Sequence, residues 1–488
     1  MTMNVGIRRV GIAITVLVLI LVGQLTYLQI IEADRLENDP RNVRNLLRDF
    51  TRPRGDIITA DGQIVAESIP VDDEFELQRV YPEGPLYAQV SGYQSLVVGN
   101  TGVEKEYNDD LVGRTPELQL ANVRDLILGK EQTGTVELTI QSSVQIAARD
   151  ALAGRRGSVV ALDPETGGVL AMYSNPTYDP NLLAGHDALA VENNFELLSA
   201  DPARPDLPRT YREIYPPGSS FKTLTAGVSL DDGVATPDTE FPEVSSIELP
   251  LTDGQELQNF GGQTCGGTLF ESFTRSCNTT FATLGLELGN SFVPGMRGFG
   301  VYEEPPLDLD PGAVATTGPS TSEFDHDDPE FALAGIGQGR VSATPLQMAL
   351  IASGVANGGV INQPHVAGEI LDADDVSVKR IGTESWKNAM SSSTATTVGQ
   401  MMVSVVENGT GNAAAIDGVS VAGKTGTAQT FDGGPVHAWF ISFAPVEDPA
   451  VAVAVIVEGE GSTNSEQTGG QAAAPIARAV IEAALGVQ

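Results

Sequence analysis

Pro216-Pro217-Gly218-Ser219-Ser220-Phe221-Lys222-Thr223 ends one backbone conformation and opens another. The Pro-Pro-Gly run breaks a helix, whereas Ser219 can start one whose apolar side carries Phe221, Leu224 and Val228. A serine at that position sits among unpaired backbone N–H groups, beside the positive end of the helix dipole. Lys222, three residues on, shares its helix face. One turn of chain thus carries a hydroxyl, a proton acceptor and an anion-friendly backbone. Taken alone, the same residues also describe a capping serine and a solvated lysine. What Ser219-x-x-Lys222 means depends on the rest of the chain.

Upstream lie an amphipathic helix over 143–152 and two apolar strands over 158–162 and 169–173, joined by the turn Asp163-Pro164-Glu165-Thr166-Gly167-Gly168. Downstream the pattern predicts strands over 420–429, 438–443 and 451–457, then a helix over 472–485 with Pro475 in its first turn. Residues 180–410 read mostly as helices and long loops, and the Pro- and Asp-rich stretch 303–328 as an exposed loop. The expected fold class is α/β (α+β): a five-stranded, largely antiparallel sheet with flanking helices and an inserted helical subdomain.

Two more short motifs follow the first. Ser276-Cys277-Asn278 precedes an apolar helical run over 281–288, and Lys424-Thr425-Gly426-Thr427 lies inside a predicted strand. Separately, they fit a helix cap and an edge strand whose charge discourages aggregation. In this order, with the first opening a helix and the third on the closing sheet, they form a three-part constellation.

That constellation resembles the signature of the penicillin-binding proteins and serine β-lactamases. The likeness extends to Arg54-Gly55 with the Asp61-Gly62 turn and to Gly102-Val103-Glu104 with Tyr107-Asn108, which look like the class B pedestal module. Gly335-Ile336-Gly337-Gln338-Gly339, Ala343-Thr344-Pro345-Leu346-Gln347 and His437-Ala438-Trp439-Phe440 also look like this family. The short pedestal is most similar to the penicillin-binding protein A group of actinobacteria. The roughly 100 residues before the catalytic region leave no room for a glycosyltransferase domain, so a monofunctional enzyme is expected.

The resemblance implies a peptidoglycan D,D-transpeptidase inhibited covalently by β-lactams. Ser219 would attack the carbonyl of a stem peptide ending in D-Ala-D-Ala and become acylated, with Lys222 accepting its proton. Ser276 would relay a proton to the departing D-alanine, and Asn278 would hold the substrate amide and orient Lys222. Lys424, Thr425 and Thr427 would bind the substrate carboxylate, Gly426 would let the strand approach the ligand, and the N–H groups of Ser219 and Thr427 would form an oxyanion hole. A glycan polymerase and division or elongation proteins are the implied partners. The competing readings are a D,D-carboxypeptidase, a β-lactamase and a non-enzymatic penicillin-binding scaffold. A class A β-lactamase needs a water-activating Glu. Glu384-x-x-x-Asn388 has the spacing of such a motif, but lies too far beyond Ser276.

The 488 residues carry a net charge of -36, which excludes a phosphate-binding surface and hence nucleic acid as a partner. Lysine occurs only at 105, 130, 222, 379, 387 and 424, so two of six fall in the motifs. The four histidines lack metal-ligand spacing, and neither metal nor cofactor is expected. Residues 10–31 are apolar over roughly 33 Å, enough for a membrane anchor. Arg35, Arg41, Arg44 and Arg48 outnumber Arg8 and Arg9, against the positive-inside rule; the short leading tail and the large domains that follow outweigh that count. The expected order is a cytoplasmic tail (1–9), an anchor (10–31), a pedestal (32–135) begun by a charged helical stalk (32–52), and a catalytic domain (136–488) outside the cell. There Cys265 and Cys277 could form a disulfide or stay as buried thiols; the compartment favours the bond.

Overall fold

A computed structural model describes residues 3–32, 50, 52–121, 133–319, 328–429, 434–459 and 468–487. Most of the expected stalk lies outside the described residues. The first helix, α1 (Met3–Thr26), runs into a wider turn over Tyr27–Ile31. Its segment Arg8–Gln29 is long and apolar enough to cross a membrane and is not buried by any other described residues.

The pedestal begins with β1 (Ile57–Ile58), β2 (Ile64–Pro70) and β3 (Leu77–Val80). Asp61-Gly62 makes the turn between the first two, closed by Thr59 N–H donating to Gln63 O at 2.9 Å. Strand β4 (Thr135–Leu138) lies parallel to β1. There follow α2 (Ser142–Leu152), β5 (Gly157–Leu162), β6 (Val169–Asn175), α3 (Lys222–Asp231), α4 (Leu269–Arg275), α5 (Asn278–Leu288) and α6 (Pro345–Ala356). The chain continues through β7 (Ala367–Leu371), β8 (Ser377–Arg380), α7 (Ser392–Asn408), β9 (Ala422–Gln429), β10 (Val436–Ala444), β11 (Val451–Val457), α8 (Gly469–Ala472) and α9 (Ala474–Leu485).

The catalytic sheet has the order β9-β10-β11-β5-β6 and is antiparallel throughout. Every residue of β10 and β11 is buried, the mark of strands covered on both faces. α6, almost wholly buried, packs on β5, β10 and β11, while α2 and α9 pack on each other and on the sheet. The five expected strands are all present, with no end differing by more than two residues.

Two expectations need correction. Residues 180–410 also contain short strand pairs, and one of them, β7 with β8, extends the pedestal sheet to the order β8-β7-β4-β1-β2-β3. Strands of three to five residues with mixed polar faces are too short to show a clear period of two. The described part of the Pro- and Asp-rich stretch is also no exposed loop: Leu307, Leu309, Ala313 and Thr316 are buried. Asp308 accepts from Tyr107 OH at 2.6 Å and from the N–H groups of Val366 and Ala367 at 2.6 and 3.1 Å. Its polar residues make docking contacts rather than solvated ones, which composition cannot reveal.

Glu104 is the centre of the pedestal. Fully buried, it accepts from Arg54 Nε and Arg79 Nε, each at 2.6 Å, and from Tyr81 OH at 3.1 Å. Burial pushes its carboxyl pKa up, but the two guanidinium groups outweigh that and hold it below the usual range. Glu104→Ala strands both buried cations, so an expected loss of about 3–5 kcal/mol should appear in chemical unfolding. A loss under about 1 kcal/mol would mean that the arginines find other partners.

Candidate active site

Ser219 does not open the α-helix directly. Gly218–Phe221 form a 3-10 turn that runs straight into α3, placing Ser219 half-buried ahead of Lys222. Tyr215 pairs through its backbone with Ala343 (3.0 and 2.9 Å), and Gly218 N–H donates to Gly337 O at 2.9 Å. Trp439 Nε1 donates to Pro216 O at 3.0 Å, and Ser220 Oγ donates to Pro217 O at 2.7 Å. Gly218 has φ +54°, and a β-carbon there would lie 2.7 Å from Thr427 O. Only glycine lets the turn press so closely on β9. Gly426 faces this turn, since a side chain on it would meet Pro217 O at 2.7 Å.

Behind the turn, Glu458 accepts from Tyr215 OH (2.7 Å) and Arg209 Nε (3.0 Å) and pairs with Arg156 Nε (2.6 Å). Sequence reasoning missed these residues; the only available signal was Tyr215 standing next to the Pro-Pro pair.

The three motifs meet at the Ser276 hydroxyl. Lys424 Nζ donates to it at 2.8 Å and Lys222 Nζ at 3.4 Å. Both lysines are fully buried. Lys222 is fixed by Asn278 Oδ1 and Ser276 O, each at 2.8 Å, over the Phe281 ring; Lys424 also donates to Thr425 O at 3.1 Å, over Phe273. Burial, and then the neighbouring Lys424, push the Lys222 pKa well below the ordinary lysine value. Burial alone lowers that of Lys424 to about 7. Ser276 reaches this position with φ 61°, a left-handed residue joining the end of α4 to the start of α5.

Residues 157–482 match the penicillin binding protein transpeptidase domain, and residues 54–136 match the penicillin binding protein A dimerisation domain. The chain is 42% identical to the peptidoglycan D,D-transpeptidase PbpA of Mycolicibacterium smegmatis over 99% of both chains, and 38% identical to that of Mycobacterium tuberculosis over the same shares. The chain belongs to the class B penicillin-binding proteins. Its fold matches solved M. tuberculosis penicillin-binding protein A at 36% identity. The ceftriaxone acyl-enzyme gives a TM-score of 0.83 over 90% of this chain and 100% of that one, and the penicillin G acyl-enzyme gives 0.81 over 89% and 100%.

Within this penicillin-binding protein the other motif residues make further contacts. Asn278 meets Lys222, but its amide Nδ2 donates to Gln258 O at 3.0 Å. Strand alternation puts Thr425 on the other face from Lys424. There its buried hydroxyl pairs with Thr410, a residue the sequence reading passed over. Thr427 is half-buried and its hydroxyl accepts from Gly469 N–H at 3.4 Å. Among the described residues the Ser219 hydroxyl has no hydrogen bond, and Lys222 makes none to it.

Cys265 and Cys277 are joined, with Cα atoms 5.5 Å apart. The bond ties the strand Cys265–Thr268 to the middle residue of the second motif. Among the described residues no cluster of His, Cys, Asp or Glu could hold a metal ion.

Proposed function

We propose that Ser219 is the acylated nucleophile of this peptidoglycan D,D-transpeptidase. Neutral Lys222 takes the Ser219 proton as the oxygen attacks the penultimate D-Ala carbonyl. Ser276, between the two lysines, passes a proton to the amine of the departing D-alanine. The acyl group then moves to the amine of a second stem peptide, whose lost proton returns along the same path. Asn278 orients Lys222, charged Lys424 supplies positive field to the carboxylate while Thr425 and Thr427 donate to it, and the N–H groups of Ser219 and Thr427 stabilise the oxyanion. One observation carries this reading: two buried lysines converge on one serine hydroxyl, and the one a turn beyond Ser219 has the other as a cationic neighbour in addition to its burial.

The same reading gives residues 1–9 as a cytoplasmic tail, 10–31 as the anchor, 32–135 as a non-catalytic pedestal and 136–488 as the catalytic domain outside the membrane. A glycan polymerase and division or elongation proteins would work beside it. The test is incubation with a donor peptide ending in D-Ala-D-Ala and an amine acceptor, read by mass spectrometry. Cross-linked product with released D-alanine is expected. Trimmed monomer alone would make the protein a carboxypeptidase, and no release at all would make it a scaffold.

A further inference from the structure

One close polar contact at β9 has no part in the chemistry above: Thr410 and Thr425 meet hydroxyl to hydroxyl at 2.5 Å. Thr410 belongs to Asn408-Gly409-Thr410-Gly411, the turn that ends α7. The N–H groups of Gly409 and Gly411 both donate to Val405 O, at 3.2 and 2.9 Å, so the turn is fastened on either side of Thr410. Thr410 is exposed, whereas Thr425 is buried.

Two hydroxyls at this distance hold one proton between them and send the other elsewhere. If Thr425 donated to Thr410, it would turn only lone pairs outward and repel a carboxylate. If Thr410 donates, the Thr425 proton stays available. The exposed Thr410 can keep its own lone pairs hydrated while donating, and an incoming carboxylate then accepts a hydrogen bond from the Thr425 hydroxyl. Lys424 Nζ already donates to Thr425 O at 3.1 Å, so with a second donor at its hydroxyl both oxygens of Thr425 accept and the hydroxyl proton is left to donate.

We propose that Thr410 is a positioning residue for carboxylate recognition: its hydroxyl donates to Thr425 and so leaves the Thr425 proton for the carboxylate of the stem peptide or β-lactam. This rests on the reading of residues 424–427 as the carboxylate-binding strand. The test compares acylation by benzylpenicillin with acylation by its methyl ester, which lacks the charge. Thr410→Val should slow acylation by the acid about tenfold, the worth of one well-made hydrogen bond, and leave the ester within about twofold. Thr410→Ser should restore the acid rate. Thr425→Val should show the same acid-specific loss, and the double variant no further loss. Equal losses for acid and ester with Thr410→Val, or no rescue by serine, would overturn the inference. An acid-specific loss with Thr425→Val but none with Thr410→Val would overturn it while sparing the strand assignment. Loss of no acid specificity with Thr425→Val would overturn both.

Discussion

Ser219→Ala should abolish covalent labelling by a fluorescent penicillin, with no change in thermal stability. The oxygen removed has no hydrogen-bond partner among the described residues, and the turn is held by other groups: the N–H of Gly218, the hydroxyl of Ser220 and the indole of Trp439. Folding therefore should not depend on it, while acylation at the proposed nucleophile needs it. Ser220 is the natural control. Its hydroxyl is buried and committed to Pro217 O at 2.7 Å, so Ser220→Ala should keep labelling. Gel fluorescence separates the two outcomes, and persistent labelling of Ser219→Ala would remove it from the chemistry.

The second large effect is on pH dependence. The second-order acylation constant should trace a bell whose limbs belong to two lysines of the free enzyme. At low pH Lys222 is charged and cannot accept the Ser219 proton, so the rate rises as pH climbs through its strongly depressed pKa. Charged Lys424 is needed at the carboxylate, so the rate falls as pH passes about 7, where burial places its titration. The two limbs are on opposite sides because Lys222 is depressed further, having Lys424 as a neighbour in addition to burial. Lys222→Met should lower the constant about 10²–10⁴-fold and remove the rising limb. Stopped-flow acylation over pH checks both, and a rate that rose monotonically through pH 9 would contradict the role given to Lys424.

The sequence made the sheet legible where strands were long and apolar, as over 451–457 and 438–443, and made the three motifs legible because lysine is rare enough to be noticed. It hid whatever depended on one residue meeting a distant one. Thr410 is one threonine in a Gly-rich turn until Thr425 lies beside it, and Glu458 is one of many acidic residues until Arg156, Arg209 and Tyr215 close on it. The direction of the Asn278 amide could not be read either, because Gln258 offers it a backbone carbonyl and any residue could do that. Neither were β7 and β8 visible, being too short for a period.

Those two strands have a mechanical consequence. Because β7, with β8 on its outer edge, comes from far along the chain yet lies beside β4, a pull applied to the pedestal sheet at β1 loads that pairing. It is resisted as shear across the antiparallel ladder between Ala367–Leu371 and Thr135–Leu138, where several hydrogen bonds must fail together. That ladder ties the pedestal sheet to the chain that carries Ser219.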